Sequence, residues 1–370
     1  MEPRLIMRES IPMLGKVHPL RIIHILNHIQ VIGNGIVHVA VDLACMQARA
    51  GHIVTVVSGG GAFEELLTRE GVQHIRIDQR RTLFNIVSAL VKIRRTIKRF
   101  SPDIIHAHMI TGLILAKYAF RKRRYRLLAT VHNEFQKTAT LMGIADHVIV
   151  VSEAVKTSMI QRGIPAKKIE VILNGCIGSP RLSIDTPHIH LQRPSIVTVS
   201  GMYYRKGILT LIQAFEIIAE KHPDAHLYLV GDGEDRKKLE QDTATLSSAK
   251  RIHFEGFQRQ TKPYLDQTDI FVLVSEKDAC PLVLIEARDS GCAIIGSAVD
   301  GIPELLDHGR AGRLIPARDP EKLATVLDDL LTHPEKAQEL RLQAGKNVEK
   351  FHLTRASEET LACYRRMLSE

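Results

Sequence analysis

The feature that most constrains this 370-residue chain is one alternation, strand-like run then helical stretch, played through twice. In the first half a β-branched run at 21–26 precedes a helical pattern over 37–50, which Gly51 ends. Strand-like runs follow at 52–57, 73–77, 103–107, 126–131 and 147–151. The last is apolar throughout, as a strand buried on both faces should be. Between them lie helical stretches at 62–70 and 85–100; in the second, Ile86, Leu90, Ile93 and Ile97 share a face. Residues 180–194 break the pattern with three prolines, and the spacing predicts a linker there. The alternation then restarts. Strands are expected at 195–200, 226–230, 252–254, 269–274 and 293–297. Helices are expected at 208–221, 234–243, 281–290, 320–331 and 334–351. Such a chain predicts α/β architecture, with parallel sheets covered by helices on both faces. Each half is long enough to bury its own core.

Composition narrows the classes. No window reaches the roughly 18 apolar residues that a membrane-spanning helix needs. Residues 1–20 carry charges and prolines where a secretory signal would be apolar. They read as a leader, and the protein as cytoplasmic. The five cysteines are scattered without metal-ligand spacing, which fits a reducing compartment and predicts no metal site. The formal net charge of +9 is uneven. Residues 1–180 hold 25 Lys/Arg against 12 Asp/Glu, and the remainder 25 against 29. Two basic clusters, 92–99 and 121–126, stand out. They are either solvated helix ends or a surface for an anionic membrane or anionic acceptor. Nucleic acid is not an expected partner: no recognition motif is present, and few aromatics interleave with the basic residues.

Three loops follow a strand and open a helix, where free backbone N–H groups and the helix dipole favour phosphate. Val31-Ile-Gly-Asn-Gly-Ile36 offers Gly33 and Gly35, whose backbone a ligand can approach closely, although taken alone the loop reads more readily as a plain glycine turn. Ser200-Gly-Met-Tyr-Tyr-Arg-Lys-Gly207 places Arg205 and Lys206 before a helix, suited to a diphosphate or simply solvated. Ser275-Glu-Lys-Asp-Ala-Cys-Pro-Leu-Val-Leu-Ile-Glu-Ala287 puts Asp278 in a turn and Glu286 inside the helix that Pro281 opens. Glu286 sits among apolar residues, so a polar partner is expected for it. Cys280 reads as a small buried thiol rather than a nucleophile.

At these residues the chain resembles the retaining glycosyltransferases of family 4. Asp278-x7-Glu286 followed by Asp300-Gly-Ile-Pro-Glu304 is similar to that family's Glu-x7-Glu signature and its Gly-x-Pro-Glu turn. Other landmarks fall in order: Asp103-Ile-Ile-His-Ala-His108, Thr130-Val-His132, Asp146-His-Val-Ile-Val-Val-Ser152, Asn174-Gly175, Leu229-Val-Gly-Asp-Gly233, Phe254-Glu-Gly256 and Gly312-Arg-Leu-Ile315. The resemblance covers roughly residues 21–368. It implies a GT-B fold, two Rossmann-like, doubly wound domains facing a central cleft. The expected plan is a leader at 1–20, an acceptor domain at 21–179, a linker at 180–194, a nucleotide-sugar domain at 195–350, and a C-terminal helix at 351–370 packing back on the first domain.

The resemblance also implies roles. Lys206, helped by Arg205, would hold the diphosphate of a UDP- or GDP-sugar. Glu286 would bind the ribose, and Asp278 would contact the donor sugar. Cys280, Pro281, Leu282 and Val283 would meet sugar and phosphate at a helix N-terminus. Gly256 and Phe257 would lie against the base. Gly33 and Gly35 would close on the phosphate from the first domain. His108 would face the reacting sugar, with His132 on the acceptor side. Fixed cations and helix N-termini would stabilise the leaving diphosphate, with no metal or other cofactor required. The implied activity is transfer of a hexose-type sugar to a lipid-linked or polysaccharide hydroxyl, in the cytoplasm or at the cytosolic face of a membrane. Three departures are evident: Asp278 stands where Glu is usual, Ala279-Cys280-Pro281 where Gly-Phe-Gly or Gly-Phe-Pro is usual, and Met202 where Arg is frequent. A nucleotide-sugar epimerase or hydrolase, or a weakly active binding subunit, is the alternative.

Overall fold

The computed structural model describes residues 18–79, 82–133, 135–182 and 188–370. Of the expected leader, 1–17 lie outside the described residues, as do 183–187 of the linker.

The first domain contains β1 (Arg21–Ile25), α1 (Gly35–Arg49), β2 (Ile53–Ser58), α2 (Glu64–Arg69), β3 (Gln73–Arg76), α3 (Leu83–Phe100), β4 (Ile104–Ala107), α4 (Ile110–Tyr118), β5 (Arg126–Val131), β6 (His147–Val150), α5 (Glu153–Gln161) and β7 (Ile169–Val171). The second contains β8 (Ser195–Val199), α6 (Ile208–Ile218), β9 (His226–Val230), α7 (Arg236–Thr243), β10 (Ile252–Gly256), α8 (Lys262–Asp266), β11 (Ile270–Leu273), α9 (Leu282–Asp289), β12 (Ala293–Ser297), α10 (Ile302–Leu305), β13 (Arg313–Ile315), α11 (Pro320–Thr332) and α12 (Pro334–Ala344). The final helix is α13 (Leu353–Ser369).

The strand orders are β3-β2-β1-β4-β5-β6-β7 and β10-β9-β8-β11-β12-β13. Every pairing in both sheets is parallel. Burial explains this: β4, β8, β11 and β12 are buried along their whole length, so their apolar runs need helices above and below. The order reverses beside β1 in one sheet and beside β8 in the other. In doubly wound sheets ligands bind outside the carboxyl ends of the strands at that reversal.

The sequence reading passed over α4, α5, α8, α10 and the short edge strands β7 and β13. It also expected one helix over 334–351. The chain instead leaves α12 after Ala344, turns at Asn347 in the left-handed region (φ 55), and makes a 3-10 turn at Val348–Phe351 before α13. Gly345 and Asn347 explain the break, since both residue types favour helix ends.

Helix α13 lies on the first domain. Leu361, Cys363, Tyr364 and Met367 share one core cluster with Ile22, Val37 and Val41. The Arg355 guanidinium donates to the Leu173 carbonyl at 2.8 Å. Among the described residues no helix is long and apolar enough to cross a membrane.

The start of the linker is anchored rather than loose. Arg181 donates from Nε and Nη2 to the two carboxylate oxygens of Asp42 on α1, each at 2.8 Å, and the Ser179 hydroxyl donates to Oδ1 at 2.8 Å. Both charged side chains are buried, 6% and 0% exposed. Removing one member of such a pair strands the other charge, at a cost of about 3–5 kcal/mol. Asp42→Ala should therefore lower unfolding free energy by that order in urea titrations; a midpoint within error of wild type would show the pair to be dispensable.

Candidate functional site

The second domain builds one wall from the loops after β8 and β11. Lys206 ends the 3-10 turn Tyr204–Lys206 that follows β8. Gly207 continues it with φ +73, and a Cβ there would lie 2.0 Å from the Val274 carbonyl oxygen. Only glycine lets the two loops touch so closely. The Glu276 N–H then donates to the Arg205 carbonyl at 2.8 Å. This join brings Lys206 Nζ to Asp278 Oδ2 at 2.5 Å, with the side chains only 17% and 12% exposed.

The Asp278 loop is braced from behind by the Asp300–Glu304 turn. The Asp278 N–H donates to the Asp300 carboxylate at 2.8 Å, and the Gly301 N–H donates to the Asp278 carbonyl at 3.2 Å. A Cβ on Gly301 would lie 1.9 Å from the Ala279 carbonyl oxygen. Glu304 reaches the other domain, where Oε2 accepts from the Glu153 N–H at 2.9 Å, at the start of α5. The turn that served as a family landmark thus holds the acidic loop and ties it across the cleft.

Helix α9 begins at Leu282, with Pro281 at its N-cap rather than inside its first turn. The Leu284 N–H makes the helix's first bond, to the Pro281 carbonyl at 3.2 Å, and the N–H groups of Leu282 and Val283 lie ahead of it, outside the intrahelical ladder. Leu282 and Cys280 are buried, and burial pushes the Cys280 thiol up to about 12, consistent with an inert side chain. The Cys280 carbonyl accepts from Asn174 Nδ2 of the first domain at 3.2 Å. Glu286 has the polar partner expected of it: the Thr261 hydroxyl donates to Oε2 at 2.9 Å. Burial raises its carboxyl above the usual value, and the nearby Arg181 charge opposes that. Glu286 lines a small cavity with Cys176, Leu182, Thr261 and Ser290.

The glycine loop of the first domain closes on this wall. Asn34 caps α1, its side chain accepting from the Ile36 N–H at 3.0 Å. A Cβ on Gly33 would stand 3.6 Å from the Phe257 ring, and one on Gly35 3.8 Å from Leu282 Cδ1. Phe257 follows Gly256 and is 43% exposed, an aromatic face beside the loop. Val283 is half-buried in the first turn of α9.

Arg205 and Met202 have other surroundings. Arg205 does not join the Lys206–Asp278 pair; its guanidinium lies over the Tyr203 and Phe135 rings, 5.6 and 5.5 Å from their centroids. Met202 is fully buried in the second core, so that position presents no side chain to the cleft.

The first domain contributes a histidine cluster at the carboxyl ends of β1, β4 and β5. His24 pairs in register with His106, and His108 follows two positions on, on the same face. The sequence reading selected His108 and His132. The structure joins them to His24, His106, Gln47 and Tyr364, which it missed as site residues. His108 Nδ1 meets His132 Nε2 at 3.0 Å, and His108 Nε2 meets His24 Nδ1 at 2.9 Å. His24 Nε2 meets Gln47 Oε1 at 2.8 Å; His106 meets the Tyr364 hydroxyl at 2.7 Å and the Thr130 hydroxyl at 2.6 Å. His24, His106 and His108 are close enough together to hold an ion, but all six of their ring nitrogens already have protein partners. Burial drives every ring toward the neutral form, His24 to about 4 and His132 to about 3, with His106 and His108 also well below the usual value.

Comparison with known proteins adds the family. Residues 33–176 match the family described as Glycosyltransferase Family 4, and residues 193–333 match Glycosyl transferases group 1. An uncharacterized glycosyltransferase of Haemophilus influenzae is 23% identical, over 81% of this chain and 88% of its own length. The lipopolysaccharide core biosynthesis glycosyltransferase LpsE of Rhizobium meliloti is 24% identical, over 76% and 83%. The crystal structure of Anabaena HepE in complex with UDP-glucose superposes with TM-score 0.79 at 21% identity, over 93% of this chain and 100% of that one.

The histidine cluster has a stability consequence. The unfolded rings take up protons near pH 6.5, while the folded rings resist until pH falls much further. Stability is therefore full above about pH 6.5 and declines as pH drops toward 4. His24 alone accounts for about 2 kcal/mol at pH 5. The melting temperature should fall between pH 7 and 5, and less so in His24→Gln; a flat melting profile over that range would contradict buried neutral rings.

Proposed function

Because this chain belongs to the group 1, family 4 glycosyltransferases, we propose that it moves a hexose-type sugar from a nucleoside-diphosphate sugar to a hydroxyl of a lipid-linked or polysaccharide acceptor, with retention. Its fold is GT-B, two parallel-sheet domains facing one cleft. The Lys206–Asp278 pair carries the reading, since it stands just before α9 where the glycine loop of the first domain arrives. In the free protein each charge satisfies the other. A donor diphosphate brings a second anion to Lys206, leaving the Asp278 carboxylate to accept from sugar hydroxyls. The leaving diphosphate gains negative charge as the anomeric carbon becomes oxocarbenium-like. Lys206 and the α9 N-terminus are fixed where that charge grows, and they supply the stabilisation without a divalent ion. Phe257 stacks on the base, Glu286 receives the ribose, and His132 faces the acceptor side with the buried His108 behind it. The UDP-glucose bound by the Anabaena neighbour supports uridine over guanosine as the nucleotide. The role of the Rhizobium relative in lipopolysaccharide core synthesis supports an envelope glycolipid or polysaccharide as acceptor.

The workplace is the cytosolic face of a membrane. Helix α3 packs beside α4, and together they expose Ile86, Val87, Val91, Ile114 and Tyr118. Basic residues of α3 and of the loop after α4 are exposed on the same two segments. Arg123 is committed to Asp146 at 2.7 and 3.0 Å, while Arg121, Lys122 and Arg124 remain outward. Apolar side chains together with exposed basic ones suit an anionic bilayer surface, each cation adding about 1 kcal/mol near it.

Two measurements test this reading. In a thermal-shift panel of UDP-, GDP- and ADP-sugars, a UDP-sugar should stabilise the protein. Lys206→Ala should weaken that donor at least tenfold, as expected for a lost charge-assisted bond of about 1.5–3 kcal/mol. Turnover of the donor to free or epimerised sugar, with no transfer to any acceptor, would instead identify a hydrolase or epimerase. Replacing Lys92, Arg95, Lys98 and Arg99 by Gln should abolish low-salt binding to anionic vesicles; unchanged binding would remove α3 from the membrane surface.

A further inference from the structure

The hydrogen bonds among the histidines have a direction that their chemistry dictates. Gln47 is a primary amide, so its Oε1 only accepts and its Nε2 only donates. Oε1 faces His24 Nε2, which must therefore carry the proton. A neutral imidazole has one N–H, so His24 Nδ1 is bare and accepts from His108 Nε2. His108 Nδ1 is then bare and accepts from His132 Nε2. The series leaves His132 Nδ1 as a lone pair. Rotating the Gln47 amide by half a turn would reverse every step and leave His132 Nδ1 protonated. Tyr364 couples the amide to a second series of bonds, which a half-turn of the amide would also have to reverse. Gln47 Nε2 donates to the Tyr364 hydroxyl at 3.4 Å, and that hydroxyl donates on to His106 Nδ1 at 2.7 Å. His106 Nε2 then donates to the Thr130 hydroxyl at 2.6 Å.

His132 is half-buried and stands three positions before Phe135, whose ring lies beneath Arg205. That contact sets the loop after β5 opposite the Lys206 turn, across the cleft. We infer that Gln47 and Tyr364 are positioning residues: through His24 and His108 they hold His132 in its Nε2–H form, so that Nδ1 accepts a hydrogen bond from a substrate hydroxyl. This rests on the cleft being the transfer site. The forces acting on the four rings are burial and one another, from β1, β4 and the end of β5, with Tyr364 reaching in from α13. Gln47 cannot take up a proton at its end of the series. The histidines therefore form a tautomer lock rather than a proton relay, and His132 works as a neutral acceptor.

Nitrogen-15 NMR of the histidine rings tests the lock in the wild-type protein, independently of any activity. The spectrum should assign His132, His108 and His24 all to the Nε2–H form. Tyr364→Phe frees the Gln47 amide, and it should give mixed tautomers and a kcat lower by about tenfold, the loss of one hydrogen bond in the bound state. UDP affinity should stay unchanged in that variant, because Tyr364 touches neither the second-domain loops nor the glycine loop that face the nucleotide. Gln47→Glu offers only acceptor oxygens, so it should keep the Nε2–H form while moving the acid limb of the kcat profile to higher pH. Nδ1–H at His132 in the wild type, or unaltered tautomers and kcat in Tyr364→Phe, would overturn the inference. A protein that binds and turns over no nucleotide sugar but shows the Nε2–H series would overturn the transfer reading and leave the lock standing.

Discussion

Parallel strands buried on both faces impose the arrangement from which the rest follows. Side chains of such a sheet are sealed under helices, so chemistry is confined to the strand ends, and helix N-termini gather at the carboxyl ends. Two sheets of this kind, set with those ends opposed, give one cleft with two unlike walls. The second domain supplies fixed charge, Lys206 against Asp278. The first supplies neutral hydrogen-bonding rings, kept neutral by burial. In the proposed transfer the leaving diphosphate would meet the former and the hydroxyl nucleophile the latter.

Much of this was legible in the residue pattern. The strands at 126–131, 226–230 and 293–297 match β5, β9 and β12 at both ends, because short apolar runs between turn residues leave little choice of boundary. Helix α4 was not legible. Gly112, Leu113, Leu115 and Ala116 are all buried, so the segment is apolar nearly all round and shows no helical period. Edge strands β7 and β13, three residues each, are too short to carry a pattern. At the site, the acidic pair and the glycine loops were readable from local spacing. The contact of Lys206 with Asp278 was not: it spans 72 positions and depends on Gly207 lying against the Val274 carbonyl. Gln47 and Tyr364 were hidden for the same reason, each an ordinary helical residue until the sheet brings it against a histidine.

The cleft is joined unevenly. Glu304 to Glu153 and Asn174 to Cys280 are hydrogen bonds between the domains, both ending on backbone atoms. The glycine loop meets Phe257 and Leu282 by van der Waals approach. Opening at the hydrogen-bonded contacts exposes polar backbone groups that then need water, whereas opening at the glycine loop separates weaker contacts. Behind α9, the buried Arg288 guanidinium binds the Ala344 carbonyl at 2.9 Å and Asp307 at 3.1 Å, fixing the helix that carries Glu286 to the chain just before it crosses back.

That return crossing carries a consequence for biosynthesis. The first domain is not assembled from the first half of the chain alone. Arg355 binds the carbonyl of Leu173 from 182 positions further on, and Tyr364 completes the polar core beneath His106 across 258. While a ribosome is still making the second domain, the sheet of the first lies open on the face that α13 will cover, with Ile22, Val37 and Val41 short of their neighbours. Domains usually fold in order as they emerge, and exposed apolar surface in that interval invites aggregation. Here the first domain must wait for the second, so the interval in which a chaperone is useful extends until α13 has left the exit tunnel.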